Sequence, residues 1–233
     1  MRRFAILASL ALAGVVGAGL GAAGLAAPAR DWTRTAVPTK AGTYVFGNPA
    51  AKAKLVEYLS YTCSHCAHFT EEAWPALKRD YLARGTASIE VRHALRDPID
   101  MAAALLARCD GPARFLDHSE AIFAAQRDLL AKGQQFMAAN GERVRKLPEV
   151  QIASEFAHGS GLVALMRSRG MPQAKINACL ANKGQLTVLA AMADEAWKVR
   201  KVPGTPAFLI NGALAPDTND WAALKPKLDA AAK

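Results

Sequence analysis

Cys63, His65, Cys66 and His68 fall within six positions of one another, and such a group can do two kinds of chemistry. Two cysteines separated by two residues can cycle between dithiol and disulfide. The first attacks as a thiolate, and the second, one helical turn on, resolves the mixed disulfide. The same sulfurs and imidazoles are also donors for copper or zinc. A closed zinc site usually draws its ligands from two separated knuckles, and no second C-x-x-C and no H-x-x-x-H occurs in this chain. Disulfide exchange at Cys63 and Cys66 is therefore the expected chemistry, with no cofactor and no bound metal, and metal handling by the same cysteines is the alternative. His65, between the sulfurs, can donate a hydrogen bond or positive charge to the thiolate. That favours the reduced form and makes the disulfide a stronger oxidant. His68 is read as a helix-surface residue.

This chemistry needs the first cysteine at a helix N-terminus, where unpaired backbone N–H groups and the helix dipole lower a thiol pKa. The flanking sequence fits that need. Residues 54–60 (KLVEYLS) read as a strand running into the C-x-x-C segment. Phe69, Ala73, Leu77 and Tyr81, four apart, then mark one face of a helix, with Glu71, Glu72, Lys78 and Arg79 polar. Pro75 should kink that helix and Gly85 close it. Residues 88–94 alternate as a second strand, so a strand-helix-strand unit is predicted.

Before this unit, residues 31–42 are polar and turn-rich, an extended lead-in, and residues 43–46 make a short β piece ended by Gly47, Asn48 and Pro49. Residues 99–198 carry helical periodicity, with breaks predicted at Gly111-Pro112, Gly133, Gly141, Pro148, 159–161, 170–172 and Gly184. The β character returns at 207–211, a turn follows at Asn211-Gly212, and 220–232 read as a helix. The order predicts an α/β fold interrupted by an all-helical insertion: a first part over 30–98, the insertion over 99–198 and a second part over 199–233.

Arg2 and Arg3 precede an uncharged run over 4–27 that ends near Ala27, Pro28 and Ala29. Residues 1–29 read as a cleaved signal peptide, and an uncleaved anchor over 4–27 is the competing reading. Either one places the rest of the chain outside the cytoplasm, in a periplasmic-type compartment where disulfides persist. The net charge of +9 becomes +7 without Arg2 and Arg3, and the remaining Lys and Arg are scattered. That pattern reads as a solvated surface and excludes a nucleic-acid footprint. The 233 residues, 52% hydrophobic, suffice for one substantial core.

Two segments together, EYLSYTCSHC over 57–66 and VPGTPAFLING over 202–212, resemble the DsbA-like branch of the thioredoxin superfamily. The resemblance extends over nearly all of the mature chain and implies a thioredoxin-like fold with an inserted helical domain. It implies a cis Pro206 beside the cysteines, with Thr205 presenting backbone groups to an extended substrate and Ser64 beside it. It implies that Glu57 lies beneath the pair and helps move the proton of Cys66. Strong oxidases of the family often carry Pro-His between the cysteines. Here Ser64-His65 keeps the histidine and leaves the potential open.

Family members with cysteines in similar places suggest a structural disulfide between Cys109 and Cys179. Two buried thiols are the other reading. The bridge, if formed, would contribute roughly 4 kcal/mol in the chain-entropy model. Related isomerases bear an added N-terminal dimerisation domain, for which residues 30–43 are too short. A monomeric dithiol oxidase is therefore expected, acting on reduced or unfolded exported proteins and reoxidised by a membrane quinone-linked partner. A periplasmic reductase kept reduced for a narrow client is the runner-up.

Overall fold

The protein is described by a computed structural model over residues 31–233; the signal peptide expected over 1–29 lies outside the described residues. Six strands form one sheet: β1 (Ala36–Pro38), β2 (Tyr44–Gly47), β3 (Ala53–Leu59), β4 (Ala87–His93), β5 (Ala207–Ile210) and β6 (Ala213–Leu214). Their order is β1-β2-β4-β3-β5-β6, with β3 and β4 parallel and every other pair antiparallel. Side chains alternate along β3, so Leu55, Glu57 and Leu59 share one face and Val56 and Tyr58 the other. Leu55 and Leu59 join the main core with Phe69 and Ala73, while Val56 and Tyr58 pack with Ala196, Val202 and Leu209. A strand buried on both faces belongs at the centre of a sheet, and from that position β3 delivers the chain to the cysteines.

Helix α1 (Ser64–Ala76) links β3 to β4 and continues as a π-helical turn, Leu77–Leu82. The predicted kink at Pro75 takes this form: proline has no N–H for the preceding turn and crowds its carbonyl, and the next turn widens. Gly85, at φ +65°, ends the segment, and a Cβ there would meet the Trp32 ring at 2.7 Å.

Between β4 and β5 lie α2 (Pro98–Ala107), α3 (Pro112–Ala124), α4 (Gln126–Val144), α5 (Glu149–Gly159), α6 (Leu162–Ser168), α7 (Gln173–Leu180) and α8 (Lys183–Asp194), the last continued by a π-helical turn, Glu195–Val199. The fold is thus a thioredoxin-like sheet with a helical insertion. The breaks expected at Gly133 and Gly141 do not occur; both lie inside α4. Gly133 serves close packing, since a Cβ would strike Ile99 of α2 at 2.4 Å. Gly184 likewise sits within the first turn of α8, whose cap is the Asn182 side chain accepting from Gln185 N.

After β5, Asn211 and Gly212 both take positive φ, 50° and 85°, and join β5 to β6 as a two-residue hairpin. Helix α9 (Trp221–Ala232), capped by Asp220, closes the chain. Strand β1 lies in the expected extended lead-in; its three residues carry weak β signal and are held by pairing with β2. Among the described residues no helix is long and apolar enough to cross a membrane.

Candidate active site

Cys63 is the N-cap of α1, extended at φ −94° and ψ 119°, and Cys66 lies in the first turn. The two sulfurs are not bonded to each other. The peptide between Thr205 and Pro206 is cis, and the Thr205 carbonyl stands 3.0 Å from Cys63 Sγ, where it accepts the thiol proton. The insertion separates these segments in sequence. They meet because β5, which begins at Ala207, pairs with β3 up to Tyr58.

The two cysteines are electrostatically unlike. A hydrogen bond from the Cys66 thiol most strongly lowers the Cys63 pKa; burial opposes it, and the Thr205 side chain and the backbone N–H groups of Cys66 and His65 add to the lowering. The result is a Cys63 pKa of about 4. Burial, first, and the neighbouring Cys63 push the Cys66 thiol well above its ordinary range. Cys63 is thus suited to attack and to leave, and Cys66 to hold its proton.

Glu57 is fully buried on the α1 face of β3, and neither carboxylate oxygen has a hydrogen-bond partner among the described residues. Burial raises its pKa to about 8, and the Trp74 side chain acts the other way. Its charge also acts on Cys66, raising that thiol further. At neutral pH Glu57 is mostly a carboxylic acid, able to exchange a proton beneath the pair.

His65 and Ser64 are exposed. The main contribution of His65 to the Cys63 sulfur is its backbone N–H, and its imidazole is not among the leading influences. The imidazole instead lines a groove with Thr205, Pro206, Leu214, Asp217 and Thr218. His68 is exposed too and lies 3.7 Å from Glu72, one turn on. Among the described residues no three His, Cys, Asp or Glu side chains are placed to hold a metal ion.

Sequence reasoning missed the groups that hold the loop before Cys63. Asp100, fully buried in α2, accepts from Ser60 Oγ at 2.5 Å, Tyr61 N at 2.8 Å and Arg96 N at 3.1 Å. Asp97 caps α2 and accepts from Thr62 Oγ1 at 2.6 Å. Asp97 before Pro98 is a recognisable helix start, but nothing local says that it also grips Thr62. From the other side, Gln126 donates to the carbonyls of Tyr61 and Cys63. Farther away, Cys109 and Cys179 are joined by a disulfide between the end of α2 and α7.

Several known proteins are similar to this chain in sequence or fold. The crystal structure of a protein-disulfide isomerase from Novosphingobium aromaticivorans is 37% identical, with a TM-score of 0.76 over 81% of this chain and 96% of that one. Wolbachia pipientis alpha-DsbA1, at 18% identity, shares the fold with a TM-score of 0.63 over 84% and 93% of the two chains. A Rickettsia prowazekii protein designated a protein-disulfide oxidoreductase is 27% identical over 168 residues, 72% of this chain and 54% of that one. The chain spans about half the length of the curated relatives it matches. The thioredoxin family model matches residues 39–230. That span takes in both motifs and the helices between them, and the chain belongs to the thioredoxin family.

Proposed function

We propose that this protein is an exported thiol-disulfide oxidoreductase that works in the oxidising direction, passing the Cys63–Cys66 disulfide to reduced client proteins. The observation that carries the reading is the asymmetry of the pair: a depressed Cys63 at a helix N-terminus facing the Thr205 carbonyl, and a buried Cys66 with a raised pKa. A client thiolate attacks Cys63 Sγ and the Cys63–Cys66 bond breaks. The electron pair goes to Cys66, which takes a proton from the Glu57 carboxyl. The client's second thiolate then attacks its own mixed-disulfide sulfur and expels Cys63 as a thiolate, a good leaving group because its pKa is low. Two electrons pass from client to protein, and the client leaves as a disulfide.

A low-pKa cysteine stabilises the reduced protein and so makes the oxidised form the stronger oxidant. The groove lined by His65, Thr205, Pro206 and Leu214 gives an extended client segment a place beside Cys63. Reoxidation would fall to a membrane quinone-linked partner. Export and a periplasmic setting rest on the basic and apolar pattern of residues 1–29. The name of the Novosphingobium relative favours isomerisation as a second reading, in which reduced Cys63 attacks a misplaced client disulfide.

The test is equilibration of the mature protein with glutathione buffers. A potential of about −120 to −180 mV supports oxidation, and one near −270 mV overturns it in favour of a reductase. Refolding of a scrambled client by the reduced protein alone separates isomerase from oxidase.

A further inference from the structure

We infer that Gln126 is a positioning residue for the Cys63 nucleophile: its side-chain amide ties the carbonyls of Tyr61 and Cys63 to the helical insertion and fixes the peptide that starts α1. The inference rests on the redox reading of Cys63 given above.

Gln126 opens α4 and is buried, 7% exposed. Its Nε2 lies 2.8 Å from Tyr61 O and 2.9 Å from Cys63 O. Both partners are carbonyls, which only accept, so the amine end must face them and both of its N–H groups are used. Cys63 O also receives the first helical hydrogen bond, from Ala67 N at 3.3 Å. The direction of this one carbonyl therefore sets how the cap residue enters the helix. It also sets whether the backbone N–H groups of His65 and Cys66 stay aimed at Cys63 Sγ.

The tie belongs to a larger grip. The Tyr61 ring packs on Phe123 with centroids 4.9 Å apart, and Tyr61 Oη donates to Ser119 Oγ at 3.0 Å. Ser119, Phe123 and Gln126 follow at helical spacing of four and three, so one face of the α3–α4 corner holds the loop. Tyr61 is held by all three contacts, whereas only Gln126 reaches the backbone of Cys63 itself. Without Gln126 the Cys63 carbonyl would be held by the Ala67 N–H alone, at 3.3 Å, and any turn of its negative end toward the sulfur would oppose the thiolate. Loss of the two donors should therefore raise the Cys63 pKa and make the protein a weaker oxidant.

The experiment compares reduced wild type with Gln126→Met, which keeps the length and removes the donors. Thiolate formation is followed by ultraviolet absorbance against pH, and the redox equilibrium is measured with glutathione. The expected result is a Cys63 midpoint raised by about one unit, a roughly tenfold loss of thiolate at a given acidic pH, with an oxidising strength lowered about tenfold. A folded variant with both values unchanged overturns the inference. If the variant does not fold, wild type decides by nuclear magnetic resonance. The Gln126 side-chain amide signals should shift with the Cys63 midpoint, and signals flat through that titration overturn the inference. A wild type whose own Cys63 titrates as an ordinary thiol and exchanges no disulfides sinks the redox reading itself, a result separate from either Gln126 outcome.

Discussion

The Thr205 carbonyl meets Cys63 Sγ at 3.0 Å across 142 residues of chain. A carbonyl only accepts, so this contact is made with the thiol and works against ionisation. The low pKa of Cys63 must come from donors on other sides of the sulfur: the Cys66 thiol, the Thr205 side chain and the backbone N–H groups at the start of α1. Thr205 is thus placed to act on both protonation states, its carbonyl on the thiol and its side chain on the thiolate.

In the reduced protein, alkylation of Cys63 should follow a midpoint near 4, while Cys66 stays silent until strongly alkaline pH. The folded pKa lies below the ordinary thiol value of 9.0, so the stabilisation of the reduced fold by the ionised sulfur is full above pH 9 and is lost as pH falls from there through about 4. The melting temperature of the reduced form relative to the oxidised form should therefore shrink on acidification. A pH-independent difference between pH 3 and 8 would contradict this account.

Glu57 gives the opposite sign. Its folded pKa, about 8, lies above the ordinary 4.5, so the stability linked to its neutral form is present below pH 4.5 and is lost as pH rises through 8. Wild type should lose melting temperature across that window, and Glu57→Gln should lose less. The same variant cannot give a proton to Cys66, so formation of the mixed disulfide, the step that expels Cys66, should slow at least about tenfold at neutral pH. Equal pH slopes in the two proteins would remove the buried acid from the argument.

The C-x-x-C, the helix behind it and the returning strand were legible because each depends on local pattern: spacing of four for Phe69, Ala73 and Leu77, alternation in β3 and β4, and Asn211-Gly212 for the hairpin. Glu57 was reachable only through resemblance, since a glutamate in a strand carries no local sign of being buried without a partner. Asp100 and Gln126 were not legible. Apart from the Arg96 N–H, four residues from Asp100, their partners lie 39 to 65 residues away and are mostly backbone atoms, which every residue possesses, so no side-chain pattern marks them. Gly133 was misread for a related reason: a glycine that ends a helix and one that lets two helices touch look the same until Ile99 stands against it.

Asp100 makes the loop beneath Cys63 a target for mutation. Asp100→Ala leaves Ser60 Oγ and the Tyr61 and Arg96 N–H groups without their acceptor. Unmet buried donors cost about 2–3 kcal/mol together, a fall in melting temperature of roughly 5 °C or more. Asp100→Asn keeps one oxygen as acceptor and should cost less. If thermal unfolding of Asp100→Ala matches wild type, the network holds the loop less firmly than its distances imply.

The Cys109–Cys179 disulfide tests whether the insertion supports the site or only the fold. It spans 70 residues and joins the end of α2 to α7, while the loop before Cys63 is gripped by Asp97 and Asp100 at the opposite end of α2 and by Gln126 of α4. A closed loop of that length should contribute about 4 kcal/mol by restricting the unfolded chain. The double variant Cys109→Ala, Cys179→Ala should therefore melt well below wild type. Because the constraint acts on the unfolded chain and the bridge touches none of the groups around the Cys63 sulfur, the glutathione equilibrium of Cys63 and Cys66 should stay where it is. A shifted equilibrium would mean that α2 transmits strain along its length to Asp97 and Asp100, and the insertion would then tune the redox pair as well as hold it.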